Sequence, residues 1–101
     1  MTEEQLLEMV NEFPDSPMGA FSLGKHYLEH QRPADAAARL EDAVRLDPAY
    51  TAAHVSLGDA YSALGKSELA RKAWNAALAT PHGKRDASLQ EDLEQRLSEL
   101  D

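Results

Sequence analysis

The sequence contains no cysteine among its 101 residues. This absence excludes disulfide bonds, thiolate metal sites and catalysis by a cysteine nucleophile. Aromatic residues make up only 6% of the chain, and the residues that favour β-strands are scarce. Alanine and leucine are abundant instead, which favours closely packed helices. No apolar run approaches the roughly 18 residues that a membrane-spanning helix needs.

Positive charge is also in short supply. The chain has 10 Lys and Arg residues against 18 Asp and Glu residues, so its formal net charge is −8. Such a surface repels phosphate backbones and anionic lipid headgroups, and we expect neither a nucleic-acid nor a membrane partner. The acidic start, Met1–Gln5, lacks the basic and then apolar run of a secretory signal. We therefore expect a cytoplasmic protein with one domain over residues 1–101.

The clearest internal pattern is a motif that returns after 34 residues. It consists of a Leu-Gly pair and then a tyrosine, at Leu23, Gly24 and Tyr27 and again at Leu57, Gly58 and Tyr61. The same offset pairs Ala36 with Ala70, Leu40 with Trp74 and Ala43 with Ala77. A fixed period of this length indicates a fold built from repeated units.

Apolar residues at helical spacing predict about six helices. The first extends from about residue 2 to residue 13, and Thr2 with Gln5 forms a capping box at its start. The second begins after Ser16 as N-cap, with Pro17 in the first helical position. The connections are only a few residues long, so neighbouring helices should be antiparallel.

The second half of the chain has its own start and stop signals. Gly65 is placed to end the fourth helix, and Ser67 is expected to cap the fifth. Residues 82–84 are predicted to form a break between helices. The last helix should start between residues 84 and 88, where Ser88 and Glu91 match a second capping box.

These repeated residues make the chain resemble the tetratricopeptide repeat family, whose units are helical hairpins closed by a proline. The resemblance implies an all-α fold in which antiparallel hairpins stack as a short right-handed solenoid. It divides the domain into an N-terminal capping helix at 1–14, repeats at 17–50 and 51–83, and a C-terminal capping helix at 84–101. The chain departs from the family pattern at Ala20 and His54, where a large residue is usual.

The resemblance implies a non-catalytic protein-interaction module that binds a peptide or helix of a partner protein. In this family the first helix of each hairpin lines a concave groove. The groove residues implied here are Met18, Phe21, Lys25, Leu28, Val55, Asp59, Leu89 and Leu93. A mostly apolar groove with one lysine and one aspartate would prefer an amphipathic helix or an extended apolar segment.

Some members of the family capture a C-terminal carboxylate with a set of basic and amide side chains. The matching positions here are Phe21, Lys25, Ser56, Asp86 and Gln90. Only Lys25 is basic, so we do not expect capture of a chaperone tail by this set.

Two alternatives accompany this interpretation. The last helix could fill the concave side, or a second copy could cover it, which would make the chain a self-associating homodimer. Separately, His26, Glu29 and His30 match the H-x-x-E-H pattern of zinc proteases. Tyr27 belongs to the repeat, however, and the sequence marks no third ligand. We therefore expect no metal, no cofactor and no enzymatic activity.

Overall fold

The computed structural model describes residues 1–100, and that part of the chain contains seven helices and no β-strand. The helices are α1 (Glu3–Glu12), α2 (Pro17–Glu29), α3 (Pro33–Leu46), α4 (Thr51–Ala63), α5 (Ser67–Ala79), α6 (Pro81–Arg85) and α7 (Ala87–Glu99). The predicted all-α class is confirmed. The predicted C-terminal cap extended to Asp101, which lies outside the described residues. Between residues 1 and 100, no helix is long and apolar enough to cross a bilayer.

The first two helices begin at the caps that the sequence predicts. Thr2 Oγ1 accepts a bond from the Gln5 amide, and the Gln5 side chain accepts one from the Thr2 amide at 2.9 Å. Ser16 Oγ accepts from the amide of Met18, and Pro17 opens α2. These bonds satisfy amide groups that have no partner inside a helix.

Two predicted caps are different residues. Ser67 is the first residue of α5 rather than its cap, because Lys66 holds the N-cap position without a side-chain bond. At α7 the cap is Asp86, not Ser88, and its Oδ1 accepts from the amide of Leu89 at 3.0 Å. The start of α7 nevertheless lies inside the predicted range.

The predicted break at residues 82–84 is wrong, because α6 occupies it. Thr80 caps this short helix by accepting a bond from the amide of Gly83 at 3.0 Å. Pro81 fills the first helical position, where its missing N–H costs nothing. Seven helices result where about six were expected.

Helices α2 and α3 form one antiparallel hairpin and α4 and α5 form a second, with α3 packed on α4. Helix α1 packs on α2 at one end, while α7 packs on α5 and α6 at the other. The repeated glycines permit the close approach within each hairpin. A Cβ atom at Gly24 would lie 2.6 Å from Cγ of Leu40, and one at Gly58 would collide with the ring of Trp74.

The buried side chains form a core that extends along the stacked hairpins. Leu23 and Leu40 are fully buried in its first part, and Leu93 is fully buried in its last part beside Trp74. The indole Nε1 of Trp74 donates to the carbonyl oxygen of Val55 at 3.1 Å. This bond fixes α4 against α5 directly beneath the surface described next.

Candidate functional site

Helices α2, α4, α6 and α7 surround an open cleft of about 360 Å³. It lies on the side of the hairpins that carries their first helices. Its lining consists of Phe21, Lys25, Thr51, Ala52, Val55, Ser56, Asp59, His82, Asp86, Leu89 and Arg96. Helix α7 therefore forms one wall of this cleft and does not fill it.

An apolar strip crosses the cleft, with one residue from each of three helices. Phe21, Val55 and Leu89 stand 34 residues apart, so the repeat itself places them in one row. The Phe21 ring packs on that of Tyr50, with centroids 4.9 Å apart. Val55 and Leu89 pack on the core around Trp74. All three are partly buried, so the strip is held in place by the core behind it.

One lysine beside the strip is free to meet a ligand. Lys25 is exposed and forms no ion pair with any residue between 1 and 100. Lys25 lies one helical turn after Phe21 on α2, and Asp59 is the equivalent residue on α4. The cleft thus offers an apolar surface next to a solvated cation.

An ion pair between α4 and α7 closes one end of the cleft. Arg96 Nη1 donates to Asp59 Oδ1 at 2.7 Å, and its Nη2 donates to Asp92 Oδ2 at 3.0 Å. Burial raises the pKa of the Asp59 carboxyl, and the attraction of Arg96 opposes that rise. Asp59 and Arg96 also line a second hollow with Trp74 and Leu100. The ion pair therefore separates two neighbouring hollows on this face.

Hydrogen bonds hold the opposite end of the cleft. The hydroxyl groups of Thr51 and Thr80 are buried and lie 2.6 Å apart. His82 and Asp86 form a contact of 3.2 Å at the rim. Gln90 Nε2 donates to the backbone carbonyls of residues 83 and 84. These bonds fasten α6 to α4 and α7, so this wall is fixed as well.

Three comparisons place this architecture among known proteins. The family model for the tetratricopeptide repeat matches residues 21–87, which is more than half of the chain. The chain belongs to the tetratricopeptide repeat family. TPR repeat-containing protein PA0015 of Pseudomonas aeruginosa is 35% identical over 101 residues, and the match covers 100% of this chain and 96% of that protein.

Two solved structures share the tetratricopeptide repeat fold of this chain. The solution structure of protein BPP2914 from Bordetella parapertussis has a TM-score of 0.80 at 31% identity, covering 99% of this chain and 87% of that one. The first TPR of Spaghetti (RPAP3), bound to the HSP90 peptide SRMEEVD, has a TM-score of 0.83 at 23% identity. That match covers 95% of this chain and 74% of the other. The predicted family and the stacked solenoid are confirmed.

The structure brings together five of the eight groove residues that the resemblance to tetratricopeptide repeats implied. Phe21, Lys25, Val55, Asp59 and Leu89 line the cleft, whereas Met18, Leu28 and Leu93 do not. Met18 is 64% exposed outside the lining, and Leu28 packs on the core of the first hairpin. Leu93 is fully buried, so it cannot meet a ligand. The binding role of the other five stays a prediction.

Sequence reasoning missed several lining residues. Arg96 lies 37 residues after its partner Asp59, so the repeat offset does not connect them. His82 falls in the segment 82–84, for which the sequence predicts a break and not a helix that lines a cleft. A signal for that segment was present in Thr80 followed by Pro81, which is a cap and a first-turn proline.

His26 lies in the last turn of α2, and His30 is the C-cap residue of the same helix. The rings of His26 and His30 stack with centroids 4.1 Å apart, and His30 Nδ1 lies 2.7 Å from the carbonyl oxygen of His26. No cluster of three or more His, Cys, Asp or Glu side chains suited to a metal occurs within residues 1–100.

Proposed function

We propose that this chain is a non-catalytic interaction module that holds a peptide or helix of a partner protein in the cleft. The observation that carries the proposal is the apolar strip of Phe21, Val55 and Leu89 beside the exposed ammonium of Lys25. The tetratricopeptide repeat is a protein-interaction fold, and the RPAP3 domain of similar fold holds a peptide. Both facts support this choice of function.

The lining suggests the chemistry of the ligand. Apolar side chains of the ligand would cover the strip and gain about 25 cal/mol for each Å² of apolar surface removed from water. A carboxylate one helical turn away would meet Lys25, which sets the register more than it adds affinity. An amphipathic helix or an extended apolar segment with one acidic residue satisfies both requirements.

We do not propose capture of a chaperone tail. Asp86 and Gln90 occupy two of the positions that such capture would use. Asp86 already caps α7 and contacts His82, while Gln90 donates to two backbone carbonyls. An anionic group would be repelled by Asp86 and would find no free donor on Gln90.

A selection from a random peptide library displayed on phage tests the proposal. Peptides selected on the wild-type chain should bind the Lys25→Glu variant about tenfold more weakly in calorimetry, because attraction becomes repulsion. Lys66→Glu, in the exposed turn between α4 and α5, is the matched control and should leave affinity unchanged. Equal loss in both variants would show only a response to net charge, and the cleft would be abandoned as the site.

The apolar strip is tested in the same way. Leu89→Ala should weaken binding of the selected peptides, whereas Leu69→Ala, which truncates a 42% exposed leucine on α5 outside the cleft, should not. Amide shifts in nuclear magnetic resonance spectra should change around the cleft when peptide is added. Shifts confined to another face would contradict the proposal.

A second copy is the alternative occupant of the cleft. Light scattering over a range of concentrations distinguishes the two cases. If the wild-type chain is a dimer and Leu89→Ala is a monomer, the cleft is occupied by a second copy and not by a partner peptide. A monomer at every concentration supports a separate partner.

A further inference from the structure

The outward face of α1 carries an exposed apolar surface that the cleft does not include. We call it the α1 patch, and it consists of Met1, Met9 and Phe13 with the carboxylates of Glu8, Glu12 and Asp15. Phe13 is 56% exposed and Met1 is 76% exposed. Two shallow hollows meet at Glu12 and Phe13, so the aromatic ring stands between them.

The apolar part of the α1 patch is unusual for this chain. Within residues 1–100, four large hydrophobic side chains are exposed, and two of them, Met1 and Phe13, belong to this patch. Single exposed hydrophobic residues need no explanation, but a group of them on one surface is a candidate contact site. Methionine adapts its shape to a partner, and phenylalanine supplies a large anchor.

The charged side chains around the α1 patch are all negative. Glu8, Glu12 and Asp15 form no ion pair with any residue of the described part of the chain. The C-terminal end of a helix is itself a negative pole, and the last turn of α1 contains no basic residue to offset it. A cation brought to this place would meet the helix pole and the three carboxylates together.

We propose that the α1 patch binds a basic amphipathic helix of a partner protein. The apolar face of that helix covers Met9 and Phe13, and its Lys or Arg residues approach Glu8, Glu12 and Asp15. A cation over the Phe13 ring adds to the attraction. The partner helix would be recognised through its apolar face, and this binding is independent of the function proposed for the cleft.

The charge also argues against other occupants. A second copy would bring the same carboxylates to the patch and carries a net charge of −8, so like charges would face each other. Nucleic acids and anionic lipids are repelled for the same reason. A basic protein segment is the occupant with complementary charge and an apolar face.

The first experiment uses a fluorescein-labelled model peptide. A helix of about 16 residues, with Leu along one face and Lys on the other, is titrated with the chain and followed by fluorescence anisotropy. Two controls are the same composition in scrambled order and the same helix with Glu in place of Lys. The amphipathic basic helix should bind at least about tenfold more tightly than either control. Equal binding of the scrambled peptide or of the Glu peptide would overturn the proposal.

Variants then locate the peptide. Phe13→Ser should weaken binding about tenfold, whereas Leu69→Ser, which changes an exposed residue elsewhere, should leave it unchanged. Glu8→Gln together with Glu12→Gln should weaken binding several-fold and reduce its dependence on salt. These charge variants keep the test valid if Phe13→Ser fails to fold.

Two outcomes would show that the peptide binds elsewhere or that another molecule covers the α1 patch. Loss of binding in Leu89→Ala, with Phe13→Ser unaffected, would place the peptide in the cleft and overturn the proposal. Sedimentation should show a monomer. A wild-type dimer that Phe13→Ser dissociates would show that a second copy covers the patch, and the proposal would again be wrong.

Discussion

The two hairpins carry the same motif but use it with different neighbours. In the first, the Gly24 backbone faces Leu40, and in the second the Gly58 backbone faces the larger Trp74. The repeated tyrosines also differ, because Tyr27 is buried and Tyr61 is only partly buried. The period therefore determines which positions pack together, while the different residues at equivalent positions determine the contacts inside each hairpin.

The largest expected effect comes from the residue that faces each glycine. Trp74→Ala should lower the free energy of unfolding by about 3–5 kcal/mol, because it removes a large buried ring and leaves a cavity. Leu40→Ala should cost about 2–5 kcal/mol for the smaller volume lost. Urea denaturation followed by circular dichroism measures both. A smaller loss for Trp74→Ala than for Leu40→Ala would contradict the comparison.

The glycines themselves give the next effect. Gly58→Ala should destabilise the chain by about 1–3 kcal/mol, because the added methyl meets a rigid ring. Gly24→Ala should cost less, since the Leu40 side chain can move. The better helix propensity of alanine offsets about 1 kcal/mol of either cost. Gly65→Ala is a useful reference, because its strain comes from a φ of +75° and no neighbour lies within 4 Å of the added atom.

The two tyrosine hydroxyl groups should differ by less. Tyr27 donates to Glu3 Oε2 at 2.9 Å, and the Arg32 guanidinium lies 4.5 Å from the centre of its ring. Tyr27→Phe should therefore cost about 1 kcal/mol, which is typical of one hydrogen bond. Tyr61 donates to the exposed Glu41, so Tyr61→Phe should cost less. Thermal unfolding of the two variants measures the difference, and an equal loss would remove this distinction between the hairpins.

The smallest expected effect is on the pH dependence of stability, to which Glu3 and Asp59 contribute with opposite signs. The bond from Tyr27 and the nearby Arg32 lower the pKa of Glu3 below 4.5, whereas burial raises the pKa of Asp59 above 3.8. The stability from Glu3 is present above pH 4.5 and is lost as the pH falls through its lowered pKa. The contribution of Asp59 is present below pH 3.8 and is lost as the pH rises through its raised pKa.

Two variants separate these contributions. Glu3→Gln should make the acid loss of stability shallower, and Asp59→Asn should make it steeper, because each removes one of two opposed titrations. Urea denaturation between about pH 3 and 6 measures both slopes. Slopes that change in the same direction would show that one pKa shift has the wrong sign.

Features that follow the 34-residue period could be predicted from sequence, and the rest could not. The two hairpins and the equivalence of Phe21 with Val55 follow from that period, and Leu89 lies one further period on. The resemblance implies a groove position for Leu93, yet this side chain is buried beside Trp74. The reason is that α7 has its own leucine stripe, and Glu91 stands where the repeat would have Leu57. Burial of the stripe sets the rotation of this last helix.

Contacts between residues far apart in the chain could not be predicted from the sequence for a different reason. The Asp59–Arg96 ion pair depends on the rotation of α7, because the leucines of this helix pack on α5 and that packing determines where Arg96 lies. The exposed Phe13 could be recognised as apolar from the sequence, but its exposure depends on what α1 packs against. Neither property is encoded by spacing along the chain.

The bond between Trp74 and Val55 gives the molecule a built-in optical reporter. Trp74 is the only tryptophan in the chain, and its indole donates to the backbone of a residue in the cleft wall. A ligand that moves Val55 would change the polarity around the indole and therefore the colour of its emission. Occupancy of the cleft could thus be followed by intrinsic fluorescence, without a dye. A helix bound at the distant Phe13 would leave the emission of Trp74 unchanged.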